Sequence, residues 1–373
     1  MLAVKRLNKD LTDQEFEYYS RQIAHNDIGY NGQIKLKNSK VCILGCGGLG
    51  VPTMLMLTAM GVGHIKIVDR DIISVSDLHR QYIYDIKSIG LPKVEVAAEK
   101  LRLLNPNVMI EPLAQPIIKR NISDIIEGMD IAVDGLDSID TRYLVNRTCH
   151  ENKIPYIFAG AIESIANATT IIPDKTPCLE CIFPGFNDRL LPKCSLVGVH
   201  PAVIGMISSV QVSEVTSILL GKSPQLAGKL LLINLNDLSF DKIDVSKQKK
   251  CNTCGSSPIG SQKEIVEKFL EEECARDGRR TIILTPKRKI EVDLKKVTQK
   301  LTNEGKTVKA KGNLGITFDI SEMFTMSLLQ SGLAIMQISP KKVNNGIQSE
   351  ILSVYEGIVV DLLGYSKDVV PDT

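Results

Sequence analysis

Two pairs of cysteines are the first residues whose type and spacing suggest chemistry. Cys178-Leu-Glu-Cys181 and Cys251-Asn-Thr-Cys254 each place two thiols about one turn apart, the spacing with which a chain closes on a tetrahedral metal ion. Four thiolates fill every position around Zn2+, so the predicted role is structural, a staple between the segments near 180 and 252. Redox chemistry at one C-x-x-C is the alternative, although neither pair opens the helix that such chemistry uses. A second constellation is Gly45-Cys-Gly47-Gly48-Leu-Gly50, set between the apolar run Lys40–Leu44 and a helical stretch reaching about Met60. Glycines there let the backbone approach a phosphate, and the helix start adds unpaired N–H groups and partial positive charge. Asp69 ends the next strand, where an acidic residue holds a ribose hydroxyl.

That much suits any nucleotide binder, an NAD-dependent oxidoreductase included. Three further features point to a triphosphate. Between Asp71 and Lys93 the chain reads Ile-Ile-Ser-Val-Ser-Asp-Leu-His-Arg-Gln-Tyr and then Gly90-Leu-Pro-Lys93, which puts two cations, Arg80 and Lys93, just past the second strand. Each lowers the cost of charge on a departing pyrophosphate, a charge that NAD never presents. Taken alone, Arg80 reads equally as a surface residue. Third, Asp134-Gly-Leu-Asp137 follows the fourth strand, so Asp137 lies at a strand's C-terminal edge, where open α/β sheets bind ligands. A carboxylate beside phosphates serves as a Mg2+ ligand. The competing role is a helix cap, by Asp137 or by Ser138. Cys194 follows Lys193 in a loop-like stretch between the two cysteine pairs; it is a candidate nucleophile, or simply a thiol in a loop. Cys42 and Cys46, on or beside a buried strand, are expected to pack.

The elements that must position these residues can be read from periodicity. An amphipathic helix is predicted from Thr12 to Ala24, opened by a Thr12/Glu15 capping box. Strands at 40–45, 64–69, 108–113, 131–134 and 155–161 alternate with helices at 48–60, 93–104, near 124 and at 138–152. Such alternation predicts a mostly parallel Rossmann-like α/β sheet covered on both faces. An apolar helix at 203–220 and a strand at 230–235 follow. A boundary near 258 divides residues 1–258 from a small α+β unit, 259–373. There the pattern predicts a helix near 264–273, strands at 281–285, 289–292, 315–320, 324–329 and 334–338, a helix from 293 and a terminal helix at 348–363. The length of 373 residues suits two units or more, and the 43% hydrophobic and 24% charged fractions suit a globular chain. Lysine and arginine number 45 against 43 acidic residues, which gives bulk charge no reason to attract nucleic acid. No apolar run reaches about 18 residues, so no membrane span is expected. The charged N-terminal stretch does not resemble a secretory signal, so the expected location is cytoplasmic, where nine cysteines stay reduced.

Together the glycine loop, Ser76-Asp-Leu-His-Arg-Gln81, Lys93, the series Asp134, Asp137, Arg142 and Asn146, and both cysteine pairs resemble the ThiF/MoeB/HesA family of ubiquitin-activating-type adenylyltransferases. The resemblance implies ATP-dependent adenylation of the C-terminal glycine carboxylate of a small ubiquitin-like or sulfur-carrier protein ending in Gly-Gly. It also allows a thioester on Cys194 and transfer to a conjugating enzyme. Gly48, with Gly45, Gly47 and Gly50, would face the phosphates and Asp69 the ribose, with Asp71, Asp77 and Gln81 also in the nucleotide site. Arg80 and Lys93 would grip the triphosphate, and Asp137 would hold Mg2+. Arg21 matches an arginine that family members insert into a partner's ATP site, which implies a homodimer; without the family it reads as solvated. Asp77 departs from the family's asparagine, and a carboxylate there weakens phosphate binding unless Mg2+ or Arg80 neutralises it. The run Phe324–Ile338 resembles a strand-turn-strand of some archaeal and bacterial C-terminal extensions, either a docking module for carrier or conjugating enzyme or a lid or dimer support. It lacks a cysteine at a rhodanese-like site. The competing classes are the NAD-dependent oxidoreductase and a non-catalytic scaffold subunit, and the presence of Arg80, Lys93 and Asp137 argues against the scaffold.

Overall fold

A computed structural model describes residues 10–188, 197–258, 260–262, 264–274, 280–339 and 347–372. Two sheets organise them. The first runs β3 (Met109–Ala114), β2 (His64–Asp69), β1 (Lys40–Leu44), β4 (Ile131–Asp134), β5 (Tyr156–Ile162), β6 (Ile165–Ile171), β7 (Lys229–Asn234) and β8 (Ser239–Asp244). From β3 to β5 all neighbours are parallel, and from β5 to β8 all are antiparallel. Central strands such as Lys40-Val-Cys-Ile-Leu44 are apolar on both sides because helices cover both faces. Met54, Leu57, Val94, Ala97 and Leu101, from helices Gly50–Ala59 and Lys93–Leu104, fill one side. Ile122, Ile125, Val145 and Cys149, from helices Ile122–Ile126 and Ile139–Glu151, fill the other.

Helix Pro201–Leu219 corrects one expectation, since by length and apolarity it could cross a membrane. It packs instead against helix Gly50–Ala59, β5 and β6. Its polar residues explain the choice. Buried Glu214 accepts from Thr170 Oγ1 at 2.6 Å, Gln225 N at 2.9 Å and Leu226 N at 2.8 Å, and Gln211 Nε2 donates to Asp134 O at 2.8 Å.

The second sheet is antiparallel throughout, in the order β11 (Val308–Lys311), β12 (Gly315–Ser321), β13 (Phe324–Leu329), β14 (Ala334–Ile338), β10 (Arg280–Leu284), β9 (Leu270–Cys274). Helices Leu294–Asn303 and Ile347–Glu356 pack on one face of it. From its other face Ile283, Leu329, Leu333 and Ile335 enter the core of the first sheet's α/β layer. The helix expected near 264–273 is a correction: Leu270–Cys274 forms β9, whose pairing with β10 overrides the helical preference of its glutamates. The strand expected at 289–292 is an irregular connection tucked into the core by Ile290 and Val292. At the N-terminus the predicted single helix breaks at Tyr19 into Asp13–Tyr18 and Ser20–Ile23, while the Thr12/Glu15 capping box forms as expected. At the C-terminus helix Ile347–Glu356 passes into a π-helical turn, Gly357–Leu362.

Replacing Glu214 by Ala strips three donors, two of them buried, of their acceptor. The expected cost is about 3 kcal/mol of stability, read as a lower urea midpoint with an unchanged slope; a midpoint equal to wild type would show that Glu214 does not anchor this helix.

Candidate active site

The site begins where β1 ends. Gly45 adopts φ +103°, and a Cβ there would lie 2.3 Å from Gly135 O; a Cβ on Gly50 would lie 1.9 Å from Gly45 O. These two positions therefore admit only glycine, and they close the turn tightly enough to start helix Gly50–Ala59 at once. Gly47 and Gly48 are different. Both are half-exposed, with Gln81 Nε2 3.8 Å from the Cβ position of Gly47 and Arg80 Cδ 3.9 Å from that of Gly48. Their backbone is the accessible part of the turn.

Asp69, at the end of β2, braces the turn. Its Oδ2 accepts from Cys46 N at 2.6 Å and its Oδ1 from Asp71 N at 2.7 Å. Burial, with the Asp71 carboxylate adding to it, pushes Asp69 up to about 6. Lys93, the first residue of helix Lys93–Leu104, places Nζ 2.9 Å from Asp71 Oδ2 and 3.9 Å from Asp77 Oδ2. Burial opposes its charge, but the Asp71, Asp69 and Asp77 carboxylates prevail and hold it protonated, well above the usual lysine range. Burial likewise pushes Asp71 up, and Lys93 and Arg70 overcome it, leaving Asp71 below its usual range.

Asp77 is saturated. Its Oδ1 accepts from Arg80 Nη2 at 3.1 Å and Gln81 Nε2 at 3.0 Å, and its Oδ2 from Ser74 N at 3.1 Å and Ser74 Oγ at 3.0 Å. The carboxylate that replaces the family's amide is thus neutralised by Arg80, and it shapes the Ser74–Gln81 turn. Gln81 keeps one buried atom, Oε1, with no hydrogen-bond partner. An orphaned polar atom beside the glycine turn fits a site built for a further polar ligand.

Across the turn, Asp137 is exposed and bonds to none of the described residues. Ser138 supplies the helix cap, its Oγ accepting from Thr141 N at 3.1 Å, and Asp188 adds an acceptor for Ile139 N at 2.7 Å. Capping therefore does not explain Asp137. Buried Asp134 holds the loop, accepting from Leu136 N at 2.8 Å, Arg142 Nε at 2.9 Å and Tyr156 Oη at 2.8 Å. Arg142 also donates to Ala159 O at 2.9 Å and lies 5.1 Å above the Phe158 ring, so it is a strut. Asn146 Oδ1 accepts from Leu179 N at 2.9 Å and ties this helix to the first cysteine pair.

Arg21 is exposed and has no partner among the described residues. Its neighbour Gln22 donates to Met60 O, the C-cap of helix Gly50–Ala59, at 2.9 Å. A helix of that length separates the cap from the glycine turn by about 15 Å. The structure thus does not bring Arg21 to its own chain's glycine turn. Sequence reasoning does not single out Arg70, whose guanidinium, between Asp69 and Asp71, pairs with Glu271 of β9. A lone arginine after a strand gives no signal of a partner 201 positions away.

Cys178, Cys181, Cys251 and Cys254 are all buried, with their four Sγ atoms within 4.8 Å of one another. Cys178 and Cys251 are 3.6 Å apart and Cys181 and Cys254 3.3 Å. Zn–S bonds of about 2.3 Å give tetrahedral edges of about 3.8 Å, so the cluster can hold zinc. Gln248 N points at Cys181 Sγ at 3.5 Å, and Glu180, between the first pair, is held by Arg147 at 2.6 Å and by Thr253. Cys194 lies outside the described residues. Cys42 and Cys46 are packed as expected; burial pushes Cys42 up to about 12 and Cys46 well above its usual range, so neither is a nucleophile.

Comparison with known proteins agrees with this geometry. The model of the ThiF family matches residues 19–254. The SAMP-activating enzyme E1 of Haloferax volcanii is 34% identical over 252 residues, 67% of this chain and 93% of that one. The sulfur carrier protein adenylyltransferase of Thermus thermophilus is 34% identical over 262 residues, 69% of this chain and 96% of that one. Among solved structures, E. coli MccB with succinimide superposes with a TM-score of 0.58 at 25% identity, covering 66% of this chain and 75% of its own.

Purified protein is expected to carry about one zinc per chain, the stoichiometry of a four-thiolate site. Metal analysis of Cys254→Ser should show that zinc lost together with a lower melting temperature. A metal-free wild type with an unchanged melting temperature would refute the staple.

Proposed function

The chain belongs to the ThiF family, and on that premise we propose that it uses ATP to adenylate the C-terminal carboxylate of a small ubiquitin-like or sulfur-carrier protein. The observation that carries this reading is the meeting of an exposed carboxylate, Asp137, which has no hydrogen bond among the described residues, with the cations Arg80 and Lys93 around one glycine turn. An oxidoreductase has no use for that set.

The residues divide the work as follows. The backbone of Gly47 and Gly48 and the start of helix Gly50–Ala59 receive the phosphates. Asp69 accepts from the ribose, and Gln81 offers its orphaned Oε1. Arg80 and Lys93 stand within reach of a triphosphate, each held until then by Asp77 or Asp71. Asp137, exposed and without a hydrogen bond among the described residues, fits a Mg2+ ligand, and the ion would offset charge on the phosphates. In the reaction an oxygen of the carrier's terminal carboxylate bonds to the α-phosphorus while the bond to the bridging oxygen of the β-phosphate breaks, releasing pyrophosphate. No proton must move, because that carboxylate is already ionised, so positioning and electrostatics supply the rate.

Arg21, beside the end of helix Gly50–Ala59 far from its own glycine turn, serves the second copy of a homodimer in this reading. A covalent step is part of the same proposal: the Cys194 thiolate displaces AMP from the acyl adenylate, giving a thioester for transfer to a conjugating enzyme.

Carrier-dependent ATP–pyrophosphate exchange tests the reading. Asp137→Ala is expected to lose at least about 100-fold in rate; exchange at the wild-type rate would overturn the assignment. Mixing inactive Arg21→Ala and Asp137→Ala chains should restore about a quarter of the activity, because half the dimers are then hybrids with one intact site. Failure to complement would place Arg21 outside the reaction. Asp69 has a raised pKa and takes up a proton as pH falls through about 6, losing its negative charge as an acceptor. ATP affinity should accordingly be about tenfold weaker at pH 5 than at pH 7.5, and Asp69→Asn should flatten that profile; an identical profile in both proteins would assign the titration elsewhere.

A further inference from the structure

The two sheets meet along a seam whose polar contacts fall on the segment that carries the site's cations. Glu271 of β9 grips Arg70 with both carboxylate oxygens, Nη1 to Oε1 and Nη2 to Oε2, the forked geometry that fixes orientation as well as distance. Arg70 in turn lies within electrostatic reach of Asp71 and Asp137. Glu95, in the first turn of the helix that Lys93 opens, accepts from Asn313 N at 2.6 Å and Leu314 N at 2.9 Å in the turn between β11 and β12. Its carboxylate also suits the positive end of that helix. Thr317 Oγ1 of β12 donates to Gly90 O at 2.6 Å. Gly315 approaches so closely that a Cβ would lie 2.7 Å from Pro92 Cγ, one residue before Lys93. Between Arg70 and Glu95, then, the chain that bears Asp71, Asp77, Arg80, Gln81 and Lys93 is held at both ends and at Gly90 by the second sheet.

We propose that Glu271 and Glu95 are positioning residues for nucleotide binding, through which the C-terminal sheet sets the placement of the Arg70–Lys93 segment, and with it Arg80 and Lys93, against the phosphates. The inference rests on the adenylation reading and gives the C-terminal unit a task other than docking a partner. Freed from Glu271, Arg70 is left with Asp71 and Asp137 as its charged neighbours and competes with Lys93 for Asp71 and with the proposed Mg2+ for Asp137. Freed from Asn313 and Leu314, the first turn of helix Lys93–Leu104 loses its outer anchor.

The test uses the full chain and a fluorescent ATP analogue with Mg2+, a measurement independent of any carrier. Glu271→Ala and Glu95→Ala are each expected to weaken nucleotide binding about fivefold to tenfold and to raise KM for ATP in the exchange assay while kcat changes less than twofold. Glu271→Asp should recover part of the affinity. Arg120→Ala is the control, because Arg120 bridges the same two sheets at Pro286 O and Lys287 O and touches none of the site residues; it is expected to lower the melting temperature without altering KM for ATP. Equal affinity in wild type, Glu271→Ala and Glu95→Ala would overturn the inference, as would an equal KM effect from Arg120→Ala. A wild type that binds no nucleotide would instead refute the adenylation reading beneath it.

Discussion

Two backbone crossings leave no room for a side chain, and the site depends on them. Gly45 passes Gly135, and Gly50 passes Gly45, so closely that any Cβ would overlap a carbonyl. The approach is locked from the strands, by Gly45 N to Val68 O at 2.8 Å and Gly135 N to Leu44 O at 2.7 Å. As a result the end of β1, the end of β4 and the start of a helix meet at one place. The glycine turn then presents its free N–H groups beside the loop bearing Asp137. Neither could be moved without undoing the parallel pairing of β1 with β2 and β4.

Around that crossing, charge is arranged in layers. Asp134, Arg142 and Tyr156 form a closed inner network with Asp134 fully buried. It holds the loop. In the outer layer each pair has one partly exposed member, Arg80 with buried Asp77 and Asp71 with buried Lys93. A buried pair that loses one member leaves an uncompensated charge, which suits the inner network to permanence. Partly exposed pairs exchange partners at small cost.

Much of this is legible in the sequence, and the failures have physical causes. β2, β4 and helix Lys93–Leu104 occupy the residues that periodicity assigns, because buried parallel strands are continuous apolar runs and a proline marks the helix start. The cysteine staple is equally plain, since spacing alone specifies the donor set. β6 is missed: Ile165-Ala-Asn-Ala-Thr-Thr-Ile171 has small residues where a strand signal needs bulk, and its pairing with β5 and β7 is tertiary information. At β9 the run Glu271-Glu-Glu273 favours a helix locally, yet its neighbour β10 makes it a strand. Arg70, Glu95 and Glu271 carry no local signal, because their meaning arises only when distant segments meet. Arg142 shows the reverse, a residue prominent in the motif whose task proves to be support.

The saturation of Asp77 by Ser74, Arg80 and Gln81 bears on the charge that a nucleotide meets. Asp69, Asp71, Asp77 and Asp137 stand against Arg80 and Lys93, with Arg70 already taken by Glu271. In that set the carboxylates outnumber the cations. Free phosphate or a bare nucleotide meets an excess of its own sign, whereas a nucleotide arriving with its counter-ion supplies the carboxylates with a replacement for every cation it draws away. Under the proposed adenylation, selection for the metal-complexed form would follow from that balance of charge, set before any ligand is touched.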